Sequence, residues 1–281
     1  MKISDSHNDF LTSIESFEDR EKYIKEIQSF GVKNISCAVF TTHNLINVED
    51  VLKYSLELEY LHKKYNINLI LSIEDLGFIK TREELMNLIN LKPFSTTLTW
   101  NDCNQFAGGS NSLEGLSKLG KTYINIVEQN NVLIDTAHLS RRSFWDFCKQ
   151  TSLPIYNSHS NIYNIHYHNR NLTHNQIRQI VNSNGYLGIT LYDKFMSYTK
   201  TSSKDIAIQF DYLIQKFGYK NFGLGTDFYG IDNKNLPIDI QNYDHLSNLV
   251  ENLKILGYND TIIEHLLYKN FENFMQSVKK I

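Results

Sequence analysis

The chain has 281 residues, of which 41% are hydrophobic and 21% are charged, and its formal net charge is −3. These values are typical of a globular protein with a sizeable core, and they leave no basic surface for binding nucleic acid. Its three cysteines, Cys37, Cys103 and Cys148, are widely spaced and form no CxxC pair, which argues against a disulfide framework and against a cysteine zinc site.

Short apolar segments rich in branched residues alternate with segments of helical spacing along the chain. Strands are predicted from Met1 into the stretch 5–9, then at Val32–Phe40, Asn68–Ile73, Ser95–Thr99, Val132–Thr136, Pro154–Asn157, Tyr186–Leu191 and Phe222–Gly225. Helices are predicted at Phe17–Phe30, Val48–Tyr65, Arg82–Asn90, Leu113–Gln129, Arg141–Thr151, Thr173–Asn182 and Ser203–Phe217, with more helices towards the C-terminus.

Eight strands separated by helices indicate an α/β protein with a (β/α)8 TIM-like barrel and additional C-terminal helices. A doubly wound open sheet is the competing fold. The barrel is favoured because polar residues recur at the strand ends, where barrel enzymes build their sites. No linker, charge block or repeat interrupts the pattern, so we expect residues 1–281 to form a single domain.

Residues that commonly bind metal ions follow several of the predicted strands. They are His7, Asp9, Glu74, His138, His159 and Asp227. A helix cap, a turn or a polar strand end would explain each one taken alone. Their repetition at the ends of strands one, three, five, six and eight favours a metal site. Six ligands are too many for one tetrahedral zinc and suit two metal ions roughly 3.5 to 4 Å apart.

We expect Glu74 to bridge the two ions together with a water or hydroxide, because each carboxylate oxygen can bind one ion. His7 and Asp9 would bind one ion, and His138 and His159 the other. A water between two ions loses much of its proton affinity and can act as hydroxide near neutral pH.

Several motifs together resemble the membrane (renal) dipeptidase family, zinc peptidases of the amidohydrolase-like barrels. They are DSHND at 5–9, LTWNDCN at 98–104, GLSKLG at 115–120, DTAHLS at 135–140, SHS at 158–160, RN at 170–171 and GLGTDF at 223–228. The match runs in order from residue 5 to about residue 231, and NFENF at 270–274 resembles the family's closing helix.

The resemblance implies a (β/α)8 barrel with two Zn²⁺ ions per chain, cleavage of dipeptides and frequent homodimers. It assigns His7 and Asp9 to one zinc, His138 and His159 to the other, Glu74 to the bridge, Arg170 to the substrate carboxylate and Asp227 to proton transfer. A planar guanidinium suits a free carboxylate, which agrees with the role of Arg170.

Two positions depart from the family pattern. Trp100 stands where the mammalian pattern has a histidine, and an indole cannot carry the charge of an imidazolium. Tyr229 replaces the second acid of the family's Asp-Phe-Asp-Gly. We expect Trp100 to contact substrate and Asn104 to shape the mouth of the site.

Other reactive side chains are interpreted as structural. His166 and His168 are placed on the rim of the pocket, and Cys103 is interpreted as a packed thiol because no partner is set by local spacing. Tyr192, Phe195 and Tyr198 are interpreted as packing residues.

The leading hypothesis is a zinc-dependent dipeptidase acting on a dipeptide or other small amide, with no nucleic acid or membrane partner. The alternatives are a related hydrolase of another small amide, lactone or ester, and a catalytically silent metal-binding homologue. No apolar run approaches the roughly 18 residues of a membrane span, and no targeting segment opens the chain, so we expect a cytoplasmic protein.

Overall fold

A computed structural model describes residues 1–40 and 47–279. Within them, eight parallel strands form a closed barrel in sequence order, and β8 pairs with β1. The strands are β1 Ile3–Asn8, β2 Val32–Phe40, β3 Asn68–Glu74, β4 Ser95–Thr97, β5 Leu133–Asp135, β6 Tyr156–Ser160, β7 Tyr186–Ile189 and β8 Phe222–Leu224. The predicted (β/α)8 barrel is confirmed, and the open sheet is excluded because the first and last strands pair.

Helices follow the strands and continue past β8. They are α1 Phe10–Ser13, α2 Phe17–Ser29, α3 Val48–Lys64, α4 Arg82–Asn90, α5 Lys118–Gln129, α6 Arg141–Cys148, α7 His174–Asn182, α8 Ser203–Phe217, α9 Leu246–Ile255, α10 Asp260–Glu264 and α11 Asn270–Val278, with a π-helical turn at His265–Lys269. None of the helices in the described part of the chain is long and apolar enough to cross a bilayer.

Local sequence signals account for most helix ends. Thr81 and Thr173 form capping boxes with Glu84 and Gln176, so α4 and α7 begin where a threonine is followed three residues later by an acid or amide. Gly31, with φ +89°, follows α2 where the chain turns into β2. The predictions for β2, α4 and α8 are confirmed to the residue.

Several predicted boundaries differ from the structure by one to three residues, and two differences bear on the site. The helix predicted from Leu113 begins only at Lys118, because Ser117 caps it by accepting a hydrogen bond from the Gly120 N–H. Leu113 is 91% exposed, so its apolar character did not mark a buried helix face. The strand predicted at 154–157 lies at Tyr156–Ser160, which places His159 inside β6.

A cluster of mostly aromatic side chains fills the amino end of the barrel. The first residues of β5, β6 and β7 pack with three side chains of α11 in a separate apolar cluster: Leu133, Tyr156, Tyr186, Phe271, Phe274 and Met275. The C-terminal helix therefore covers the end of the barrel where the strands begin. The opposite end, where the strands finish, is left for the site.

Candidate metal centre

The end of β1 brings an imidazole and a carboxylate together. His7 lies in β1, Asp9 is the N-cap of α1, and His7 Nε2 is 3.2 Å from Asp9 Oδ2. Asn8, between them, faces away, and its amide donates to the Tyr23 and Tyr243 hydroxyls at 3.0 Å each. The end of β1 and the turn into α1 thus bring the predicted pair together, although Asp9 itself lies just beyond the strand.

A buried carboxylate joins this strand end to the end of β8. Asp5 Oδ1 accepts hydrogen bonds from the backbone N–H of Thr226 at 2.8 Å and of His7 at 3.2 Å. The Tyr243 hydroxyl donates to Asp5 Oδ2. These bonds hold His7 close to Asp227, the residue that follows Thr226.

Glu74 ends β3 and lies between two groups of side chains. Its Oε2 is 3.7 Å from His7 Nε2, while its Oε1 is 2.7 Å from His138 Nε2 and 3.9 Å from His159 Nε2. All four side chains are buried. The two oxygens of one carboxylate thus face different imidazoles, which is the arrangement expected of a bridging ligand.

His138 and His159 face each other with their Nε2 atoms 2.9 Å apart. Their Nδ1 atoms are engaged elsewhere, by Asn101 Oδ1 at 2.9 Å and by Ser158 Oγ at 2.7 Å. A partner on Nδ1 orients the ring and leaves Nε2 for a metal ion. Burial first, and then the nearby cation Arg170, lowers the pKa of His138, which keeps this imidazole neutral.

Asp227 completes a second group at the β1 and β8 ends. Ligand atoms of His7, Asp9 and Asp227 all lie within 4.8 Å of one another, as do those of His7, Glu74 and His159. Burial first, and then repulsion from Asp9, raises the pKa of Asp227 well above its usual value. An acid in this position can hold a proton near neutral pH.

The charge balance of the cluster suits divalent cations. Burial lowers the pKa of His7, but attraction by Asp9, Glu74 and Asp227 outweighs it and raises the pKa to about 10. Among the described residues, the buried atoms His7 Nε2 and Asp9 Oδ2 have no hydrogen-bond partner. Buried polar atoms without partners are costly unless a ligand satisfies them. The residues present therefore fit a metal ion.

Arg170 lies beside the two facing histidines. Its Nη2 is 3.0 Å from His138 Nε2 and donates to the His159 carbonyl at 3.3 Å, and its Nη1 is 3.4 Å from Ser160 Oγ. Burial lowers the pKa of Arg170 to about 10, while Glu74 and Asp227 oppose the change. The guanidinium therefore stays charged at neutral pH, deep in the site.

A cavity of about 600 Å³ opens over this cluster. Trp100 lines it, stacking on His138 with ring centroids 6.0 Å apart and packing against Phe40 at 5.5 Å. His168 also lines it, which corrects its placement on the rim, whereas His166 packs against Tyr198. The volume is within the range of small-molecule sites.

Asn104, predicted to shape the mouth of the site, does not itself line the cavity. Its amide donates to Asp75 Oδ1 at 3.0 Å and to the Leu98 carbonyl at 2.7 Å, so it shapes the loop after β4. The sequence analysis did not identify Asn101, which lines the cavity and contacts His138. Its position directly after Trp100 in the motif LTWNDCN could have indicated that it lies in the site. Cys103 is exposed, so its interpretation as a packed thiol was wrong.

Comparisons with known proteins agree with this geometry. A family model described as membrane dipeptidase (peptidase family M19) matches residues 41–281. An uncharacterized protein from the pqqA 5′ region of Klebsiella pneumoniae is 30% identical over 195 residues, which are 64% of this chain and 70% of that protein. Two fungal relatives named as dipeptidases are matched over only 35% and 47% of their own lengths.

Solved structures share the whole fold. A metallopeptidase of family M19 named dipeptidase AC superposes with a TM-score of 0.87 at 19% identity, covering 98% of both chains. A metallopeptidase from Rhodobacter sphaeroides, liganded with a phosphinate mimic of the dipeptide L-Ala-D-Ala, has a TM-score of 0.84 at 18% identity and covers 98% of this chain and 99% of its own. At these identities the likeness establishes the fold.

Proposed function

The chain belongs to the membrane dipeptidase family of metal-dependent hydrolases, and we propose that it hydrolyses dipeptides with two zinc ions bridged by Glu74. The proposal rests on the position of Glu74. Its Oε2 faces His7 at 3.7 Å, and its Oε1 faces His138 at 2.7 Å. One carboxylate placed between two sets of imidazoles matches a two-metal site better than a single one.

His7 and Asp9 would hold one zinc, and His138 and His159 the other. A ligand set of imidazoles and carboxylates suits zinc. Zinc held by these residues would supply hydroxide near neutral pH and would polarise the peptide carbonyl. The neutral state of His138 and His159, set by burial, leaves their nitrogens free to act as ligands.

Asp227 is proposed to move the proton. Its Oδ1 lies 3.8 Å from His7 Nε2, and its raised pKa lets the carboxyl hold a proton taken from the attacking water. The same carboxyl can then give that proton to the leaving amine. The left-handed backbone at Asp227, with φ +62°, turns the side chain from the end of β8 towards Asp9.

Arg170 is proposed to bind the free carboxylate of the substrate. Its planar fork matches a carboxylate in two parallel hydrogen bonds. Arg170 is only 6% exposed, and its guanidinium is enclosed by His138, His159, Ser160 and Phe195. A peptide that continued past its second residue would have to pass through packed side chains, so the geometry favours dipeptides.

Elemental analysis combined with a panel of dipeptides tests the proposal. We expect about two zinc ions per chain, cleavage of L-Ala-L-Ala or L-Ala-D-Ala, loss of cleavage with a chelator and recovery with zinc. A zinc-loaded protein that leaves every L-L and L-D dipeptide uncut would overturn the dipeptidase function.

One observation favours a second candidate function. Trp100 stacks on His138 and forms an apolar wall with Phe40, where the resembled family has a histidine that helps to polarise the scissile carbonyl. A wall without that charge suits a substrate with a more reactive carbonyl, such as a lactone, an ester or a small amide with a good leaving group. Turnover confined to such substrates in the same panel would identify this function.

We further propose that residues 1–281 act as one domain, since α11 packs into the amino end of the barrel through Phe271 and Phe274. The cytoplasmic location and the homodimer that the resemblance implies stay predictions.

A further inference from the structure

The cavity contains a lysine that the proposed reaction does not use. Lys194 lines the cavity together with Arg170. We propose that Lys194 forms a subsite for a second substrate carboxylate, so that the chain prefers dipeptides whose C-terminal residue is aspartate or glutamate. The inference rests on the proposed dipeptidase function and adds the class of side chain that the site selects.

A pair of aromatic rings connects the two cations. Arg170 Cζ lies 5.5 Å from the centroid of the Phe195 ring, and Phe195 packs edge-on against Tyr192 with centroids 4.7 Å apart. The Lys194 ammonium lies 5.8 Å from the Tyr192 centroid. Both rings line the cavity, so the two cations belong to one wall, built from the segment after β7 and the loop after β6.

Lys194 has no anionic partner in the described ranges 1–40 and 47–279. The neighbouring acid, Asp193, is buried and pairs with Lys200 Nζ at 2.8 Å. Asp232, an acid that also lines the cavity, pairs with Lys234 at 3.2 Å. The charge of Lys194 is therefore available to an anion that enters the cavity.

The two cations lie at different depths in the cavity, as would the two carboxylates of a bound acidic dipeptide. Arg170 is buried beside His138, whereas Lys194 is exposed towards the mouth. The α-carboxylate sits on the Cα next to the scissile nitrogen, and the side-chain carboxylate lies one or two methylene groups further away. The deep guanidinium would thus bind the α-carboxylate, and the flexible lysine stem would reach the outer one.

The exposure of Lys194 limits the size of the preference for acidic dipeptides and makes that preference depend on salt. A pair with an exposed lysine changes kcat/KM by about 5-fold at most, because water screens the attraction. Added salt weakens such a pair, since the Debye length falls from about 10 Å at 0.1 M to about 3 Å at 1 M. A preference made by packing alone would not change with salt.

The experiment compares kcat/KM for L-Ala-L-Ala, L-Ala-L-Asp, L-Ala-L-Glu and L-Ala-L-Lys, and for the same dipeptides with a D second residue, using the zinc-loaded full chain. We expect the acidic dipeptides to exceed L-Ala-L-Ala by about 3- to 5-fold and the preference to shrink at 1 M salt. Lys194→Ala should remove the preference. Lys194→Glu should reverse it in favour of the lysine dipeptide.

Lys204→Glu is the matched control, because Lys204 is exposed on α8 and does not line the cavity; it should keep the wild-type ranking. Cleavage of L-Ala-L-Ala with no preference for acidic dipeptides would overturn the subsite and leave the dipeptidase function standing. An acidic preference that survives Lys194→Glu would overturn the assignment to Lys194. If no dipeptide is cleaved, the proposed function fails and the subsite fails with it.

Discussion

The Nε2 atoms of His138 and His159 lie 2.9 Å apart, although burial lowers the pKa of both rings and keeps them neutral. Two neutral imidazoles that point their lone pairs at the same place need a proton or a cation between them. Hydrogen bonds from the opposite side of each ring, to Asn101 and Ser158, hold this orientation. The protein thus builds a ligand pair whose geometry is set before any ion binds.

Asn101→Ala is expected to weaken zinc binding about 10- to 100-fold, because His138 loses the acceptor that orients its ring. Competition with a chromophoric zinc chelator measures the affinity. Asn130→Ala is the control: it loses one exposed hydrogen bond to the Ile126 carbonyl on α5 and should leave zinc affinity unchanged. Equal zinc affinities for Asn101→Ala and the wild type would contradict the positioning role.

Gly230→Ala is expected to displace ligands on the β1 and β8 side. A Cβ at Gly230 would lie 2.3 Å from Asp227 Oδ1 and 2.5 Å from Asp9 Oδ2, too close for either carboxylate to stay. We expect about one zinc per chain after dialysis instead of two, measured by elemental analysis. Gly218→Ala, where nothing lies within 4 Å, should cost about 1 kcal/mol of stability from its positive φ and keep both ions. Full zinc occupancy in Gly230→Ala would refute the prediction.

Asp227→Asn is expected to lower kcat about 100- to 10,000-fold, because an amide cannot accept and return the proton. Zinc content, measured on the same sample, should stay close to that of the wild type. Asp244→Asn serves as the control, since Asp244 is exposed and does not line the cavity. An unchanged kcat in Asp227→Asn would remove this residue from proton transfer. No turnover in either the variant or the wild type would favour a catalytically silent homologue.

Arg170→Lys is expected to raise KM for L-Ala-L-Ala about 10-fold or more, because an ammonium keeps the charge but cannot make two parallel hydrogen bonds. Steady-state kinetics with L-Ala-L-Ala amide provide the control, since that substrate lacks the carboxylate. The amide should be a poor substrate for both proteins, with similar KM values. A large effect of Arg170→Lys on the amide would show that Arg170 acts elsewhere.

Metal-free protein is expected to lose stability as the pH rises from 7 to 9. Burial, opposed by His7 and reinforced by Asp9, raises the pKa of Glu74 to about 8, so the folded state keeps a proton that the unfolded chain has released. His7, with a pKa of about 10, acts in the same direction. The unfolded state then binds fewer protons, and the free energy of unfolding falls as pH rises.

Thermal unfolding at pH 7, 8 and 9 with a chelator measures this trend. His138 and His159 contribute only a small opposite trend near pH 7, because both are neutral in the folded state and only partly protonated in the unfolded chain at that pH. Zinc should reverse the slope, since its ligands must lose their protons to bind. Glu74→Gln should reduce the decrease in the free energy of unfolding with pH in the metal-free protein. If the metal-free protein became more stable as the pH rises, Glu74 and His7 would not be protonated in the folded state.

The barrel could be predicted because its signals are local. Apolar runs of strand length, helical spacing and capping residues such as Thr173 recur along the chain, and each reflects the burial of one face. The start of α5 was misplaced because Leu113 continued the apolar spacing while its side chain is exposed in the structure. Hydrophobic spacing does not distinguish a packed residue from an exposed one in a loop.

The sequence by itself determined which residues gather at the mouth of the barrel. In a closed parallel barrel the carboxyl ends of all strands lie at the same face. His7, Glu74 and His159 therefore converge once their strands are identified. Orientation and distance were decided only by the tertiary structure. Asn101 reaches His138, Gly230 leaves room for Asp9, and Asn104 bonds to Asp75. These outcomes depend on contacts between segments far apart in the chain.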